Sequence, residues 1–269
     1  MTMVLFRYFA GKSRLAKQLI SMMPPHRCYV EPFGGSGTVL LNKQPSKAEV
    51  FNDIYLNLIN LFICIKKFPT ELRREAEAIP YSRHLFAKYS LELRNKDFKI
   101  PDPIRAAKFW FHQNASFNGL TPEYSTLGSF SFSKVKSTAL EWRQKIEKLD
   151  VASWRFKNVI VESLDFRECI EKYDGLSTLF YLDPPYYSAD NASGIEFSEK
   201  DHEDLHNLLS KVVGKWILTY DNDPAIRQLY KEYNLRFSAL LSTTQSTQQS
   251  SNVRLNHVHH LIISNFKTL

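Results

Sequence analysis

At 269 residues, 43% of them hydrophobic, the chain is long enough to bury a full core and falls between one large domain and a domain carrying an insertion. No run approaches the roughly 18 consecutive apolar residues of a membrane span, and the N-terminus lacks the apolar block of a signal peptide, so a cytoplasmic protein with no membrane partner is expected. The net charge of +7 is concentrated: residues 66–157 hold 18 Lys and Arg against 10 Asp and Glu, a balance of +8, which leaves −1 for the rest. Such a segment is either a solvated face of charged helices or a lobe that binds a polyanion.

The N-terminal string RYFAGKSRLAKQLI places Lys12 after a glycine corner, ahead of an amphipathic helix through Leu15, Leu19 and Ile20. Lys12 is either a surface lysine or a holder of a ligand carboxylate. No GxxxxGK[ST] string occurs, which argues against nucleoside triphosphate hydrolysis. Apolar, β-branched and aromatic runs at 27–33 and 48–53 read as strands joined by GGSGTVLLNK. Gly34, Gly35 and Gly37 let the backbone come close to a ligand, although the spacing is not GxGxxG. Asp53 ends the second strand, 19 residues after Gly34. An acid there either bonds the ribose hydroxyls of an adenosine-type cofactor or caps a turn.

About a hundred residues then separate the second strand from the third, far more than a crossover needs. They open with the helical pattern LNLINLFICIKKF, continue as charged amphipathic helices, and include FHQNASFNGLTPEYSTLGSFSFSK, a hairpin or turn-rich loop around Asn118, Gly119, Pro122 and Gly128. Further strands are expected at 159–163, 177–182, 216–220, 236–242 and 258–265, with helical patterns in RECIEKY and EKDHEDLHNLLSKVV. Strands alternating with helices indicate a mostly parallel α/β sheet, and the last two strands face each other across the polar 243–256 loop as an antiparallel edge hairpin. Cys28, Cys64 and Cys169 fit neither a disulfide framework nor a metal-ligand spacing, so buried thiols and no metal are expected.

The fourth strand stops at YLDPPYY. Two prolines forbid helix and central strand, leaving a stiff corner with the Asp183 carboxylate, the Pro184 carbonyl and the Tyr186 ring. Carboxylate and carbonyl can accept both hydrogens of an exocyclic amino group while the ring stacks on its base.

With YFAGK, EPFGGSG, FND and LDPPYY in this order, the sequence resembles the Dam-like (D12 class, alpha group) DNA adenine-N6 methyltransferases over nearly its whole length. The resemblance implies a Rossmann-like methyltransferase fold, with a seven-stranded mostly parallel sheet, a terminal antiparallel hairpin and a target-recognition insert. A catalytic domain of 1–60 and 156–269 would bind S-adenosylmethionine, and 61–155 would bind duplex DNA. It also implies Tyr8, Lys12, Phe33, Gly34, Gly35, Gly37, Asp53, Asp165, Phe166 and Asp183 as cofactor contacts, with Lys12 near the methionine carboxylate and Asp165 facing the adenine. Asp183, Pro184 and Tyr186 would be catalytic, and Phe117 and Asn118, in FNGL, would contact bases. The corner is shared with cytosine-N4 and RNA adenine methyltransferases, and an inactive DNA-binding partner is the non-enzyme alternative. The loop after Asn118 carries Glu123 where GATC-reading members carry a basic side chain, which leaves the recognition sequence open. A monomer is expected, since one insert and one pocket serve one strand at a time; an orphan, restriction-modification or phage role is equally compatible.

Overall fold

A computed structural model describes residues 2–8, 11–186, 197–242 and 256–267. Among these, all seven expected strands form: β1 (Cys28–Glu31), β2 (Ala48–Asn52), β3 (Ile160–Glu162), β4 (Thr178–Leu182), β5 (Lys215–Asp221), β6 (Asn234–Ser242) and β7 (Asn256–Ser264). They make one sheet in the order β3-β2-β1-β4-β5-β7-β6. The first five pair in parallel, whereas β7 runs antiparallel to both β5 and β6. The expected terminal hairpin is thus present; the loop joining its strands, residues 243–255, lies outside the described residues.

The inner strands are buried on both sides because successive side chains point to opposite faces, whereas the edge strand β3 is more exposed. Tyr29, Phe51, Leu179, Tyr181, Ile217 and Ile262 join one core, and Val30, Val50, Phe180, Leu182, Trp216, Leu218, Leu261 and Ile263 join the other. The helices are α1 (Ala16–Ser21), α2 (Thr38–Asn42), α3 (Leu56–Lys67), α4 (Pro69–Glu77), α5 (Arg83–Glu92), α6 (Pro103–Ala115), α7 (Thr138–Glu147), α8 (Leu149–Phe156), α9 (Phe166–Tyr173), α10 (Glu199–Leu209) and α11 (Pro224–Leu229). Leu15, Leu19, Leu40, Phe62 and Phe156 from α1, α2, α3, α8 and their flanks cover the first face; Cys169, Leu205, Leu209 and Ile226 from α9, α10 and α11 cover the second. Three layers result. None of these helices is long and apolar enough to cross a membrane.

The long excursion between β2 and β3 is helical, from α3 to α8. Local sequence starts its helices: Asp102 accepts from Arg105 N at 2.9 Å with Pro103 next in the chain, and the Ser137 hydroxyl accepts from Leu140 N at 3.2 Å. Its apolar residues, among them Phe86, Trp110 and Trp142, share the core that contains Tyr29 and Phe51 of the sheet. Of the two readings of the FNGL region, the turn-rich loop is correct. Residues 117–119 and 127–129 form short turns, and a single antiparallel bridge between Ser116 and Phe130 closes the loop.

A buried ionic cluster fastens α8 to β2. The Arg155 guanidinium donates to Glu49 Oε1 at 2.8 Å, and Lys43 Nζ reaches the same oxygen at 2.6 Å. Arg155 is only 7% exposed and Glu49 4%. Arg155→Ala removes one of the two cations that hold Glu49 while Lys43 stays in place, so it should cost the charge-assisted hydrogen bonds of one partner, about 1.5–3 kcal/mol in chemical denaturation.

Candidate active site

β1 and β4 are neighbours from which the chain continues to opposite sides of the sheet, so a crevice opens at their carboxyl ends, the usual ligand position in an open α/β sheet. The glycine turn follows β1 directly. Gly34 N donates to Asn52 O at 2.7 Å and Gly37 N to Gly34 O at 2.9 Å. Gly35 and Gly37 hold φ of +50° and +60°, and a Cβ on Gly34 would stand 2.3 Å from the Phe51 ring. Glycine is required here for both backbone shape and clearance.

Asn52 was not anticipated as a site residue. Its buried amide donates to Pro32 O (2.9 Å) and Leu164 O (3.0 Å) and accepts from Leu164 N (2.8 Å), locking together the chain after β1, β2 and β3. A carboxamide closing an apolar strand, in FND, was the available signal, because a buried amide must find partners.

Asp53 follows β2 and is 6% exposed. Its oxygens accept from Gly35 N and Tyr55 N, each at 2.9 Å. Burial pushes its carboxyl up to about 6, against these hydrogen bonds, which favour the ionised form. Of the two sequence readings of Asp53, the capping one is what these bonds show: its two oxygens hold the backbone of the turn after β2 and of the glycine turn. Tyr8 packs over the same turn, its ring 3.5 Å from where a Gly35 Cβ would lie.

Lys12 is no surface lysine. Gly11 N donates to Tyr8 O at 3.0 Å, closing the corner that precedes it, and the Lys12 side chain is 4% exposed. Its Nζ lies 2.7 Å from Asp183 Oδ1 and 4.7 Å from the centre of the Tyr186 ring. Tyr186 is further held by a 3.3 Å contact between its hydroxyl and His260 Nδ1. Pro184 is buried. Tyr187 and Ala10 lie outside the described residues.

Phe33 packs against Phe166, ring centres 5.4 Å apart, and Phe197, which sequence reasoning missed, closes an aromatic trio at 5.7 and 5.5 Å. Asp165 caps α9 by accepting from Arg167 N at 2.9 Å, is about half exposed, and shares Arg167 with Asp204 of α10. Phe117 and Asn118 are exposed on the insert loop, Asn118 with φ of +57°. Their loop touches the crevice residues at two places. Gly119 abuts the Arg7–Tyr8 backbone, and Glu123 accepts from the Tyr55 hydroxyl at 3.0 and 3.2 Å. The acid at position 123 is thus turned inward onto the residue beside Asp53, while Arg94 lies behind it, donating to Pro122 O and Ser125 O.

The structure therefore gathers Tyr8, Gly35 and Asp53 in one cluster, Lys12, Asp183 and Tyr186 in a second, and Phe33 with Phe166 in a third. A carboxylate beside a glycine turn, a flanking aromatic pair and a buried ammonium suit the ribose, adenine and carboxylate of an adenosyl amino acid. Among the described residues, no group of three or more His, Cys, Asp or Glu could hold a metal ion.

Residues 8–247 match the family of D12 class N6 adenine-specific DNA methyltransferases. The DNA N-6-adenine-methyltransferase of Escherichia phage P1 is 29% identical over 257 residues, covering 88% of this chain and 32% of that protein. The DNA adenine methylases of Salmonella typhi and Escherichia coli K12 are 31% and 29% identical over 132 and 126 residues, each covering 46% of this chain and 45% of the relative. The chain thus spans about a third of the phage relative's length and less than half of the other two. With a match running through the glycine turn, the insert and the Asp183 corner, the chain belongs to the D12 class of N6 adenine-specific DNA methyltransferases.

Proposed function

We propose that the protein transfers a methyl group from S-adenosylmethionine to the N6 amino group of an adenine flipped out of duplex DNA. The observation that carries this reading is the Asp183 corner: a carboxylate pinned through one oxygen, the Pro184 carbonyl next in the chain and an immobilised Tyr186 ring, at the crevice of a chain that belongs to this family.

Tyr8, Phe33, the 34–37 turn, Asp53, Asp165 and Phe166 would hold the cofactor, Asp53 by accepting from ribose hydroxyls. Lys12, an ammonium with three donor protons beside the corner, would donate to the cofactor carboxylate. When bound, S-adenosylmethionine supplies an electrophilic methyl group on a sulfonium. The chain's own work at the corner is positional and electrostatic. Asp183 and the Pro184 carbonyl accept hydrogen bonds from the two amino hydrogens, which turns the nitrogen lone pair out of conjugation with the ring; the carboxylate stabilises the positive charge that builds on N6, and the surplus N6 proton then leaves to water. Tyr186 stacks on the base and offsets part of the few kcal/mol that unstacking costs.

Residues 61–155 would form the DNA-binding insert, with its basic side chains on phosphates and Phe117 and Asn118 at the bases, while 1–60 and 156–269 form the catalytic unit. A cytoplasmic monomer acting on DNA fits this reading. Purified protein incubated with S-adenosylmethionine and either DNA or RNA, followed by nucleoside mass spectrometry, tests it. N6-methyladenine in the DNA is expected. N4-methylcytosine, or N6-methyladenine confined to RNA, would move the substrate, and no methylated nucleoside would refute the activity.

Asp53 adds a pH signature. Ionised, it offers both oxygens as charged acceptors, whereas protonation turns one into a donor, so affinity for S-adenosylhomocysteine should climb as pH rises from 5 to 7, through about 6. Stability runs the other way. A carboxyl raised in the folded state contributes most below its unfolded value and loses that contribution as pH rises through about 6, by roughly 3 kcal/mol. Calorimetric titrations at several pH values would check the sign.

A further inference from the structure

We propose that Thr219 is a positioning residue for this reaction, holding Asp183 so that one carboxylate oxygen is reserved for the substrate's amino group. The inference rests on the methyltransferase reading above.

Leu182 pairs in register with Leu218, so Thr219 is the β5 residue that comes alongside Asp183 where β4 ends. Its hydroxyl lies 2.8 Å from Asp183 Oδ1 and is fully buried. The buried Tyr181 hydroxyl stands 3.4 Å from the same Thr219 oxygen, giving the bond a direction: Tyr181 donates to Thr219, and Thr219 donates to Asp183. A weaker approach to Leu182 O, at 3.3 Å, is the alternative acceptor. Lys12 Nζ reaches Oδ1 as well, at 2.7 Å. Two donors from different elements therefore converge on Oδ1, while among the described residues none donates to Oδ2.

A hydroxyl at this place in a strand needs an explanation. Thr219 sits between Leu218 and Tyr220, where valine would fill the same volume with no polar group to satisfy. What threonine adds is a donor aimed at Asp183. A carboxylate can otherwise turn about its side-chain bonds, and each orientation offers the amino group a different oxygen. Fixing Oδ1 from both sides removes that freedom and leaves Oδ2 as the acceptor, consistent with the steep dependence of rate on alignment. Nothing in the local sequence WILTYDND separates this threonine from an ordinary strand residue; only the pairing of β4 with β5 does.

The test uses the full chain with Thr219→Val, Thr219→Ala and Thr219→Ser, with methyl transfer measured on the nucleic acid that the mass-spectrometric assay identifies. Thr219→Val and Thr219→Ala should each lower kcat about 10–100-fold, with KM for cofactor and nucleic acid within about threefold of wild type. Thr219→Ser, which restores the hydroxyl but not the methyl, should recover most of the rate. A purely packing role predicts the reverse ranking, with valine tolerated and serine impaired. Unchanged kcat in both hydroxyl-free variants, a loss seen only in KM, or failure of serine to rescue would overturn the proposal while wild-type transfer stands. A wild-type protein that methylates no nucleic acid would overturn the functional reading and this inference with it.

Discussion

Asp183→Ala should lower kcat by at least about 10³-fold while leaving the fold and most of the cofactor affinity in place. The expectation follows from what that carboxylate does. In the proposed mechanism it orients the amino hydrogens and stabilises charge that develops only as the methyl group moves, and such interactions act on kcat far more than on KM. Removal of a single preorganised electrostatic group commonly costs 10²–10³-fold, and misalignment of the base adds to that. Asp183 lies past the end of β4 and is only partly buried, so its truncation opens no core cavity; it does take a carboxylate partner from the buried Lys12 ammonium, so the fold is expected to persist with a lowered melting temperature, read in a thermal melt beside the kinetics. The measurement is single-turnover methyl transfer beside calorimetric titration with S-adenosylhomocysteine. Unchanged turnover would remove Asp183 from the mechanism.

Gly119→Ala should be the most damaging small substitution in the insert. Its φ is +68°, and a Cβ would stand 2.6 Å from both the carbonyl carbon and oxygen of Arg7 and 2.7 Å from Tyr8 N. The obstacle is backbone, which cannot rotate away as a side-chain tip can. Left-handed strain of about 1 kcal/mol and overpacking of 1–3 kcal/mol together predict a loss of about 2–4 kcal/mol. The displacement would also reach the cofactor side, because Tyr8 packs on the Gly35 turn. We therefore expect weaker binding of both cofactor and DNA, in contrast to Asn118→Ala, which should weaken DNA alone. Thermal melts with separate titrations of the two ligands would distinguish these patterns. Equal stability in Gly119→Ala would show that the loop is not seated on Arg7–Tyr8.

Much of this architecture was legible from residue order. The seven strands followed from short β-branched and aromatic runs, the inner ones most clearly because burial on both faces leaves little room for polar residues. The corner at 183–186 was legible because prolines constrain backbone wherever they stand. Lys12 was not resolved by sequence: a lysine after a glycine is ordinary, and its burial depends on where Asp183 lies, 171 residues on. The Glu123 departure was visible, but its partner, the Tyr55 hydroxyl, stands 68 residues away in the chain.

By itself, then, the sequence determined the element types, the glycine turn, the chemistry of the corner and the family resemblance, because propensity, proline geometry and ordered motifs act within a few residues of chain. Tertiary structure alone decided which oxygen of Asp183 is held, that Asn52 locks three strand ends, that Phe197 completes the aromatic trio, and that the insert loop sits on Tyr8 and Tyr55. Those are contacts between segments far apart in sequence, and strand order and register, not local pattern, bring them within bonding distance.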